Sequence, residues 1–387
     1  MRILIVHNRY QHMGGEDAVF EAEVQMLNEQ GHEVTAVVVN NDNITSPIHK
    51  IGAAISSVYS KQGCALVAGY LERVKPDIMH VHNYFPRLSP YIFKTAHRYG
   101  VPTVHTLHNY RAICPSATFL NNGEIDETCL RHSAFRMVPK RVYRGSYLGT
   151  AAVAMMIEYH KAFHTWERDV DVFIALTQFS RRKFIQAGFP ADKIHIKPNF
   201  VDAPKRAELK PHERNGALFV GRMSKEKGVD TLLKAWREID YPLTLVGGGD
   251  MDGLRSIERA NVNCLGIVRR DEVYDVMSRA RFLVMPSEWY EGFPVTLCEA
   301  YAMGLPVVAS DIGSLSELVE ESITGYKFES GNVAALRDTA MKMINSPLEA
   351  EEMSTNARRT YEMHYTKEKN YSQLMNIYEK VIEQYNS

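Results

Sequence analysis

Apolar segments rich in β-branched residues alternate along the chain with stretches whose apolar positions recur at helical spacing. Short apolar runs are typical of buried strands, and regular strand–helix alternation indicates parallel sheets covered by helices. We therefore predict an α/β protein with two doubly wound domains. The predicted strands are RILIVHN, EVTAVVVN, DIMHVHN, PTVHTLH, VFIALT and KIHIKPN in the first half, and ALFVGR, LTLVGGG, RFLVMPS, PVVAS and GYKF in the second.

The length and one polar segment predict where the domains divide. A chain of 387 residues exceeds what a single hydrophobic core usually supports. The proline-bearing segment from Lys197 to Gly216 has the composition of an interdomain linker. We therefore expect a first domain over residues 1–202 and a second over 203–366. An amphipathic helix at about 367–387 can pack back on the first domain or stay with the second.

Composition is that of a water-soluble globular protein, with 45% hydrophobic and 24% charged residues and no apolar run long enough to cross a membrane. The N-terminus reads as a buried strand and not as a signal peptide. Five widely spaced cysteines argue against a disulfide framework, so we expect a reducing cytoplasm. Residues 1–200 carry 22 basic and 17 acidic side chains (+5), which leaves 23 basic and 29 acidic (−6) for the remainder. This asymmetry is either chance or a sign that the first half meets an anionic partner.

In open parallel sheets, ligands bind beyond the carboxyl ends of the strands, so the residues that follow each strand are the candidates. Gly14 and Gly15 follow the first strand and precede a helix, where small residues let backbone N–H groups approach a phosphate or sugar. A lone pair of glycines is weak evidence, and a plain turn is the more common explanation. The G-x-G-x-x-G spacing of a dinucleotide fold is missing, which argues against an NAD enzyme. His108 follows the fourth strand, where an imidazole facing a cleft can contact an oxygen.

The segment GRMSKEKGVDTLLKAW places two cations beside a predicted helix start in the second half. Arg222 offers a bidentate fork and Lys227 a mobile point charge, and together they can clamp a diphosphate. Gly228 loosens the start of the helix. The segment is not a P-loop, because the G-x-x-x-x-G-K-[ST] pattern is absent. The alternative is that both are solvated charges at a helix start.

The segment PSEWYEGFPVTLCEAYAMG, from Pro286 to Gly304, places Glu291 and Glu299 eight residues apart around a predicted helix start. We expect Pro294 at the first helical position, where its missing N–H costs nothing. The free N–H groups of that turn form a site for anions and hydroxyls. Two carboxylates so placed can hold hydroxyls at the two ends of an elongated polar ligand. Two solvated acids on a capped helix are the competing interpretation.

Possible metal ligands occur at three places, and we assign none of them. Metal-dependent sugar transferases of another fold use a D-x-D motif, which Asp169–Asp171 and Asp250–Asp252 match by letter, but both read as acids flanking turns, helices or strands. Cys114, Cys129 and His132 lack a fourth zinc ligand. The two cysteines are expected to be small buried residues in a loop.

A basic stretch followed by an apolar one suggests a possible membrane contact over residues 131–166. Such a combination can lie on an anionic membrane surface, although a buried helix with a solvated flank is the other interpretation. The basic residues are Arg131, Arg136, Lys140, Arg141 and Arg144, and the apolar stretch is YLGTAAVAMMIEYHKAFHTW.

Taken together, these segments resemble the retaining family-4 glycosyltransferases of the GT-B fold, in which two Rossmann-like domains face a cleft. The resemblance rests on GRMSKEKGVDTLLKA, LVGGGDMDGL, LGIV, PSEWYEGFPVTLCEAYAMGLPVVASDIGSLSELV and GYKF, and in the first half on MRILIVHN, Gly14-Gly15, HNYRAICP and IKPNFVD. It covers nearly the whole chain, and the ordered set is far more specific than any one piece.

The resemblance implies a role for each candidate residue toward a nucleotide-diphosphate sugar. Arg222 and Lys227 would bind the diphosphate, and Glu291 the sugar. His108 would lie near the reacting face of the sugar, and Glu299 would hold the ribose hydroxyls. The backbone of Gly266, Ile267 and Val268 would meet the base, the loop of Gly292, Phe293, Pro294 and Val295 would support the sugar, and Gly14 and Gly15 would contact the phosphates.

We therefore predict a retaining glycosyltransferase that needs no metal or other cofactor. Its expected partners are a nucleotide-sugar donor and a glycan or lipid-linked acceptor, as in surface-polysaccharide synthesis, and no nucleic acid. The expected location is the cytoplasm, at the inner face of the membrane if the contact through 131–166 exists. A non-hydrolysing nucleotide-sugar epimerase and a non-catalytic sugar-nucleotide binding protein remain alternatives.

Overall fold

The computed structural model of the protein describes residues 1–9, 14–40, 56–203, 210–249 and 260–387. The chain forms two compact units. The first contains residues 1–121, 125–198 and 370–387, and the second contains 122–124 and 199–369. The division in the linker region lies at residues 198/199. Most of the C-terminal helix belongs to the first unit.

The first unit is built on a six-stranded sheet in the order β2-β1-β3-β4-β7-β8, and its neighbouring strands are parallel. Strand β2 lies on one side of β1, and β3 and the following strands lie on the other side. The strand order therefore reverses between β1 and β3. The elements up to residue 198 are β1 (Arg2–Asn8), α1 (Gly15–Glu29), β2 (Glu33–Val39), α2 (Lys61–Val74), β3 (Ile78–Asn83), α3 (Tyr91–Arg98), β4 (Thr103–Leu107), β5 (Leu120–Asn121), β6 (Glu124–Ile125), α4 (Thr128–Arg131), α5 (Tyr147–Ala162), α6 (Thr165–Arg168), β7 (Val172–Ala175), α7 (Gln178–Gln186) and β8 (Ile194–Ile196).

The second unit has its own six-stranded parallel sheet in the order β11-β10-β9-β12-β13-β14. Here the order reverses between β9 and β12, so the loops after these two strands flank the crevice in which such sheets bind ligands. The remaining elements are β9 (Ala217–Val220), α8 (Val229–Ala235), β10 (Leu243–Val246), β11 (Val262–Gly266), α9 (Arg270–Arg279), β12 (Phe282–Met285), α10 (Val295–Ala302), β13 (Val307–Ser310), α11 (Gly313–Leu318), β14 (Gly325–Phe328), α12 (Val333–Asn345), α13 (Pro347–His364) and α14 (Lys367–Asn386).

Burial explains why the strands could be recognised from their composition. Strands β3, β4, β7, β12 and β13 are buried along their whole length, as expected where helices cover both faces of a parallel sheet. In the second unit, Leu232 of α8 and Trp236, which directly follows α8, pack with Leu245 and Phe282 of the sheet and with Leu336 of α12. This core fixes the strand ends that carry the candidate residues.

The predicted fold class is confirmed, although the two-residue strands β5 and β6, the strand β11 and the position of Pro294 differ from the prediction. Strand β11 was missed because it is an edge strand whose residues are only partly buried, so VNCLG lacks the apolar run of a central strand. Pro294 was predicted at the first helical position, and this is wrong. It has an extended backbone (ψ 119°) and precedes the first helical residue, Val295.

Candidate functional site

The loop that follows β9 is shaped by Gly228. Residues Lys225–Lys227 form a short 3₁₀ turn, and Gly228 then adopts a left-handed conformation with φ +69°. A Cβ atom at this position would overlap the carbonyl oxygen of Pro286, which belongs to the loop after β12. Only glycine therefore permits both the backbone angle and the close approach of the two loops. The local sequence S-K-E-K-G brings Lys227 to the point of sheet reversal.

Lys227 forms an ion pair with Glu291 across these two loops. Its Nζ lies 2.6 Å from Oε1 of Glu291, and the hydroxyl of Ser287 donates to the same oxygen at 2.8 Å. The ammonium also lies 5.3 Å from the ring centroid of Trp289. Burial by itself would raise the pKa of Glu291, but the charge of Lys227 and the hydrogen bonds that the carboxylate accepts together outweigh burial and lower that pKa. The result is a charged carboxylate held in a nearly enclosed position.

Arg222 has a different environment from Lys227. Its Nη2 lies 2.8 Å from Oε1 of Glu226, and its side chain is 62% exposed. Both cations lie on the loop after β9, as the sequence predicted, but only Lys227 contacts Glu291. Arg222 is therefore a solvent-exposed cation whose partner is Glu226.

The loop before α10 is held in place by a residue that the sequence analysis did not single out. The side-chain amide of Asn199 donates to the carbonyl oxygen of Phe293 at 3.1 Å, and Phe293 itself is buried. Gly292 is partly exposed, and Val295 opens the helix. The first-turn N–H groups of an eight-residue helix thus begin close to Glu291 in the chain.

Glu299 lies in the second turn of α10, and its carboxylate is paired with Arg270. The Nε of Arg270 lies 3.2 Å from Oε1 of Glu299, and Glu299 is 8% exposed. Burial raises the pKa of Glu299, and Arg270 opposes this without cancelling it. Sequence reasoning missed Arg270, although its position at the start of α9, directly after LGIVR, was a usable signal.

The segment Gly266–Val268 lies at the carboxyl end of edge strand β11. Gly266 has φ +72°, and its carbonyl oxygen accepts a hydrogen bond from the backbone N–H of Gly247 at 2.8 Å. Ile267 is 84% exposed. A large apolar side chain that stands in solvent is suited to covering a flat ring.

In the first unit, the glycine loop after β1 is tied down by Asp17. Its Oδ2 accepts from the N–H of Gly14 at 2.9 Å, and its Oδ1 lies 2.9 Å from Nε2 of His7. Burial opposes ionisation of Asp17, but His7 and Gly14 outweigh it and lower the pKa. Gly15 begins α1. Among the described residues, no atom lies within 4 Å of a Cβ built on Gly14, and this glycine is exposed.

The neighbouring Glu16 carries a perturbed carboxyl group. Its Oε2 accepts from Asn109 Nδ2 at 3.2 Å, and its Oε1 is buried with no hydrogen-bond partner among the described residues. Burial and then the charge of Asp17 raise the pKa of Glu16 to about 8. This side chain was not predicted as a site residue. Its position directly after Gly15 was the available signal.

His108 lies beyond β4 and stacks on His82 of β3. The ring centroids are 5.1 Å apart, and Nε2 of His108 lies 2.9 Å from Nδ1 of His82. Burial and then His82 hold the pKa of His108 well below its usual value. His108 lines a cavity together with Thr106, Asn109 and Arg111.

A buried polar network that the sequence analysis missed lies behind His108. His82 Nε2 and His80 Nδ1 each lie 3.1 Å from Oε1 of Glu23, and Lys197 Nζ lies 2.9 Å from Oε2. Lys197 also donates to Asn370 of α14 at 2.9 Å. The missed residues come from α1, β3, the end of β8 and α14, so no local sequence pattern could connect them.

The residues that could hold a metal ion differ from those that the sequence suggested. Among the described residues, Glu23, His80 and His82 are the group whose ligand atoms, all within 4.8 Å, could hold an ion. Asp171 instead accepts hydrogen bonds from His97 and from the backbone and hydroxyl of Thr103. Asp250–Asp252 lies outside the described residues.

The two cysteines considered as zinc ligands lie side by side in the first unit. Cys114 and Cys129 are both buried, and their sulfurs are 3.0 Å apart. His132, the third residue of that candidate set, follows the short helix α4. Assignment of no metal remains a prediction.

The segment proposed to meet a membrane forms helix α5 and its flanks. The described helices include none that combines the length and the apolar character needed to span a membrane. One face of α5 is buried through Val153, Met156 and Ile157. Its opposite face exposes Leu148 and Met155, which are 81% and 50% accessible.

Two family models match the chain, one in each half, and both describe glycosyltransferases. The family model for glycosyl transferases group 1 matches residues 201–360, and the model for glycosyltransferase family 4 matches residues 13–204. An uncharacterised glycosyltransferase of Methanocaldococcus jannaschii is 30% identical over 254 residues, which cover 64% of this chain and 66% of the relative. An amylovoran biosynthesis glycosyltransferase of Erwinia amylovora is 25% identical over 231 residues, covering 54% and 56%. The chain thus matches less than two thirds of the length of these relatives.

Solved structures show the same architecture over nearly the full chain. Sucrose-phosphate synthase from Thermosynechococcus elongatus has a TM-score of 0.75 at 18% identity, and the match covers 99% of both chains. Anabaena HepE in complex with UDP has a TM-score of 0.70 at 17% identity, with 97% and 99% covered. At these identities the likeness shows the fold. Together with the two family models, it establishes that the chain belongs to the group 1 and family-4 glycosyltransferases of the GT-B fold.

Proposed function

We propose that the protein is a retaining glycosyltransferase that moves a sugar from a nucleotide-diphosphate donor to a hydroxyl of a glycan or lipid-linked acceptor. The observation that carries this proposal is the ion pair of Lys227 with Glu291, 2.6 Å apart at the sheet reversal of the second unit. A cation and a carboxylate at this position support a nucleotide-sugar site, because α/β sheets bind ligands where the strand order reverses. The comparison protein whose structure contains UDP has the same fold.

In this proposal, different side chains of the second unit bind different parts of the donor. Lys227 and the exposed Arg222 bind the diphosphate, and Glu291 accepts hydrogen bonds from the sugar. Glu299 binds the ribose hydroxyls, for which its second-turn position on α10 is suited. The backbone at Gly266 and Val268 contacts the base while Ile267 covers it. The first-turn N–H groups of α10 add positive potential.

The reaction breaks the bond between the anomeric carbon and the phosphate oxygen, and the electron pair leaves with the diphosphate. Lys227, Arg222 and the helix N-terminus stabilise that negative charge, which is often the largest catalytic contribution. The acceptor hydroxyl forms the new bond on the same face, and a phosphate oxygen takes its proton. The anomeric configuration is thereby retained. No general base on the protein is needed, and these two cations supply the positive charge without a metal.

The test is a screen of UDP-, GDP- and ADP-sugars against purified full-length protein, followed by activity with the donor that stabilises it. We expect a matching donor at 100 times its Kd to stabilise the fold by about 2.7 kcal/mol. Lys227→Ala should lower the transfer rate about 100-fold. Lys234→Ala, an exposed lysine on the following helix α8, is the matched control and should keep full activity. Equal activity of wild type and Lys227→Ala would refute the site.

Product analysis separates the competing functions and tests the mechanism. We expect NMR of the product to show the same anomeric configuration as the donor, and transfer to continue in excess chelator. Conversion of the donor into its epimer without an acceptor would indicate an epimerase. Binding without turnover across all donors and acceptors would indicate a sugar-nucleotide binding protein.

We also propose that α5 carries the acceptor-side membrane contact. Its exposed Leu148 and Met155 continue into a flank where Arg136, Arg141 and Arg144 are exposed, which is the combination that binds anionic lipid surfaces. We expect co-sedimentation with vesicles that contain an anionic lipid and little with neutral vesicles. Leu148→Gln should weaken it, whereas Leu348→Gln, which changes a leucine that is 80% exposed in the second unit, should not. Equal binding to neutral vesicles, or no effect of Leu148→Gln, would exclude this contact.

A further inference from the structure

The buried network behind His108 has an order of hydrogen bonds that fixes where each proton lies. Glu23 is enclosed, and burial alone would raise the pKa of its carboxyl, but Lys197, His80 and His82 together outweigh burial and hold that pKa well below its usual range. An ionised carboxylate accepts hydrogen bonds and donates none. His82 Nε2, 3.1 Å from Oε1 of Glu23, must therefore carry the hydrogen in that bond.

The proton position on His82 determines the next bond in the chain. Burial lowers the pKa of His82 to about 3, so its ring is neutral and carries a single N–H. That hydrogen points from Nε2 to Glu23. Nδ1 of His82 consequently has only a lone pair, and it can accept but not donate. The 2.9 Å contact with His108 is therefore a bond in which His108 Nε2 donates.

The bond with His82 also determines the state of the other ring nitrogen of His108, Nδ1. Its ring is also neutral, and its one N–H is used by His82. Nδ1 of His108 must then present a bare lone pair. Among the described parts of the chain, no side chain or backbone group is hydrogen-bonded to this nitrogen. An imidazole in this state accepts one hydrogen bond from a ligand and rejects a group that needs a donor.

We propose that Lys197, Glu23 and His82 are positioning residues that hold His108 as its Nε2–H tautomer, so that Nδ1 selects a sugar hydroxyl that donates a hydrogen bond. This inference rests on the proposed function, which supplies the sugar. The inference adds a chemical requirement: the sugar group that contacts Nδ1 of His108 must be a free O–H. A methyl ether or a hydrogen in its place leaves the nitrogen without a partner.

A metal ion is the competing explanation of the same cluster, and it predicts the opposite tautomer. An ion between Glu23, His80 and His82 would need the lone pair of His82 Nε2. His82 would then carry its hydrogen on Nδ1 and donate to His108, which would leave His108 protonated on Nδ1. The ammonium of Lys197, 2.9 Å from the carboxylate, opposes a second cation there.

The tautomer can be measured on the full-length wild-type protein without any substrate. We expect ¹⁵N NMR of histidine-labelled protein at neutral pH to show an unprotonated Nδ1 and a protonated Nε2 for His108, with His108→Gln assigning the signals. Metal analysis of the same sample should find no stoichiometric ion. A protonated Nδ1, a charged ring or one bound metal per chain would overturn the proposal.

Two substitutions of His82 then test the consequence for transfer. His82→Gln keeps a planar group with one donor and one acceptor, whereas His82→Phe removes both. We expect His82→Phe to lower kcat/KM roughly 10-fold, the equivalent of one ordinary hydrogen bond, and His82→Gln to restore most of it. Circular dichroism and melting curves identify a variant that has merely unfolded. Equal losses in two folded variants would overturn the proposal.

Substrate analogues show which sugar contributes the hydroxyl. Deoxy and O-methyl analogues of the donor form one arm, and the same analogues of the acceptor form the other. One analogue should lose about 10-fold in kcat/KM with wild type and little with His82→Phe. The absence of any transfer by wild type would reject the proposed function, while the NMR result for His108 would stand by itself.

Discussion

At the scale of single residues, the two predicted cations, Lys227 and Arg222, differ in how much each contributes to the stability of the fold. Lys227 neutralises a buried carboxylate, so removing it leaves Glu291 charged and poorly solvated. Arg222 is 62% exposed, and water replaces its partner at little cost. Both are expected to bind the diphosphate, but only one is also structural. Loss of activity alone would not distinguish them.

We predict that Lys227→Ala lowers the free energy of unfolding by roughly 2 kcal/mol near pH 7, because a nearly buried ion pair is broken on one side. Arg222→Ala should change it by less than about 0.5 kcal/mol. Because the pKa of Glu291 is lowered in the folded protein, its stabilisation exists above the ordinary value of 4.5 and is lost as pH falls. The difference between wild type and Lys227→Ala should therefore shrink in acid. Chemical denaturation at pH 7 and pH 4 measures it, and a constant difference would contradict this account.

The raised pKa of Glu16 predicts that its effect on stability changes with pH in the opposite direction to that of Glu291. Its folded-state pKa of about 8 lies above the ordinary 4.5, so between these values the folded protein keeps a proton that the unfolded chain has lost. Stability then falls as pH rises, by at most about 1.4 kcal/mol per pH unit. Glu16→Gln should remove this loss and melt progressively higher than wild type from pH 5 to pH 8.

A variant on the same helix provides the control for this prediction. Glu21→Gln changes a partly exposed carboxylate that is paired with Arg9. It should follow the wild-type pH dependence of melting. Parallel curves for wild type and Glu16→Gln would show that Glu16 is ionised in the folded protein.

At the scale of elements, the site depends on how closely two loops approach each other. The loop after β9 reaches the loop after β12 because Gly228 has no side chain. The ion pair of Lys227 and Glu291 bridges these same loops. Backbone geometry and site chemistry are therefore coupled at this one glycine.

We predict that Gly228→Ala destabilises the protein by more than the roughly 1–2 kcal/mol that a left-handed alanine costs, because the new Cβ also overlaps Pro286. Gly100→Ala is the matched control, since Gly100 has the same φ of +69° but no atom of the described residues within 4 Å of a Cβ. Melting temperature and donor binding should fall further for Gly228→Ala. Equal effects of the two substitutions would show that the loop contact is unimportant.

At the scale of the whole molecule, each unit has its own six-stranded sheet with its own reversal of strand order. In the first unit, Gly14 and Glu16 lie at the start of α1 and His108 follows β4, whereas in the second unit Lys227 and Glu291 lie in the loops after β9 and β12. Duplicating one architecture thus gives two surfaces with different chemistry. One is rich in histidine and acid, and the other combines cations with carboxylates.

Hydrogen–deuterium exchange of the full chain tests the assignment of these surfaces. We predict that a bound nucleoside diphosphate such as UDP slows exchange in the second unit at residues 221–229, 266–270 and 291–299, because backbone groups there lie beside the proposed donor. Helix α12, on which no donor contact is proposed, is the internal reference. Protection confined to other segments would move the donor site.

The sequence by itself determined the fold class and nearly all the strands, because buried parallel strands need continuous apolar runs that leave a local signal. Edge strand β11 lacked that signal. The sequence also indicated Arg222, Lys227, Glu291 and Glu299, since each lies near a strand end or helix start in a recognisable segment. Their roles toward a ligand remain predictions.

Only the tertiary structure decided which of these groups meet. It paired Lys227 with Glu291, turned Arg222 toward Glu226, and brought the unforeseen Arg270 to Glu299. It also assembled Glu23, His82 and Lys197 behind His108 from elements far apart in the chain. Ion pairs and buried hydrogen bonds join atoms within about 3 Å regardless of sequence separation, so no local pattern can encode them. The chain specifies its elements locally, whereas the chemistry of the site depends on contacts that exist only after folding.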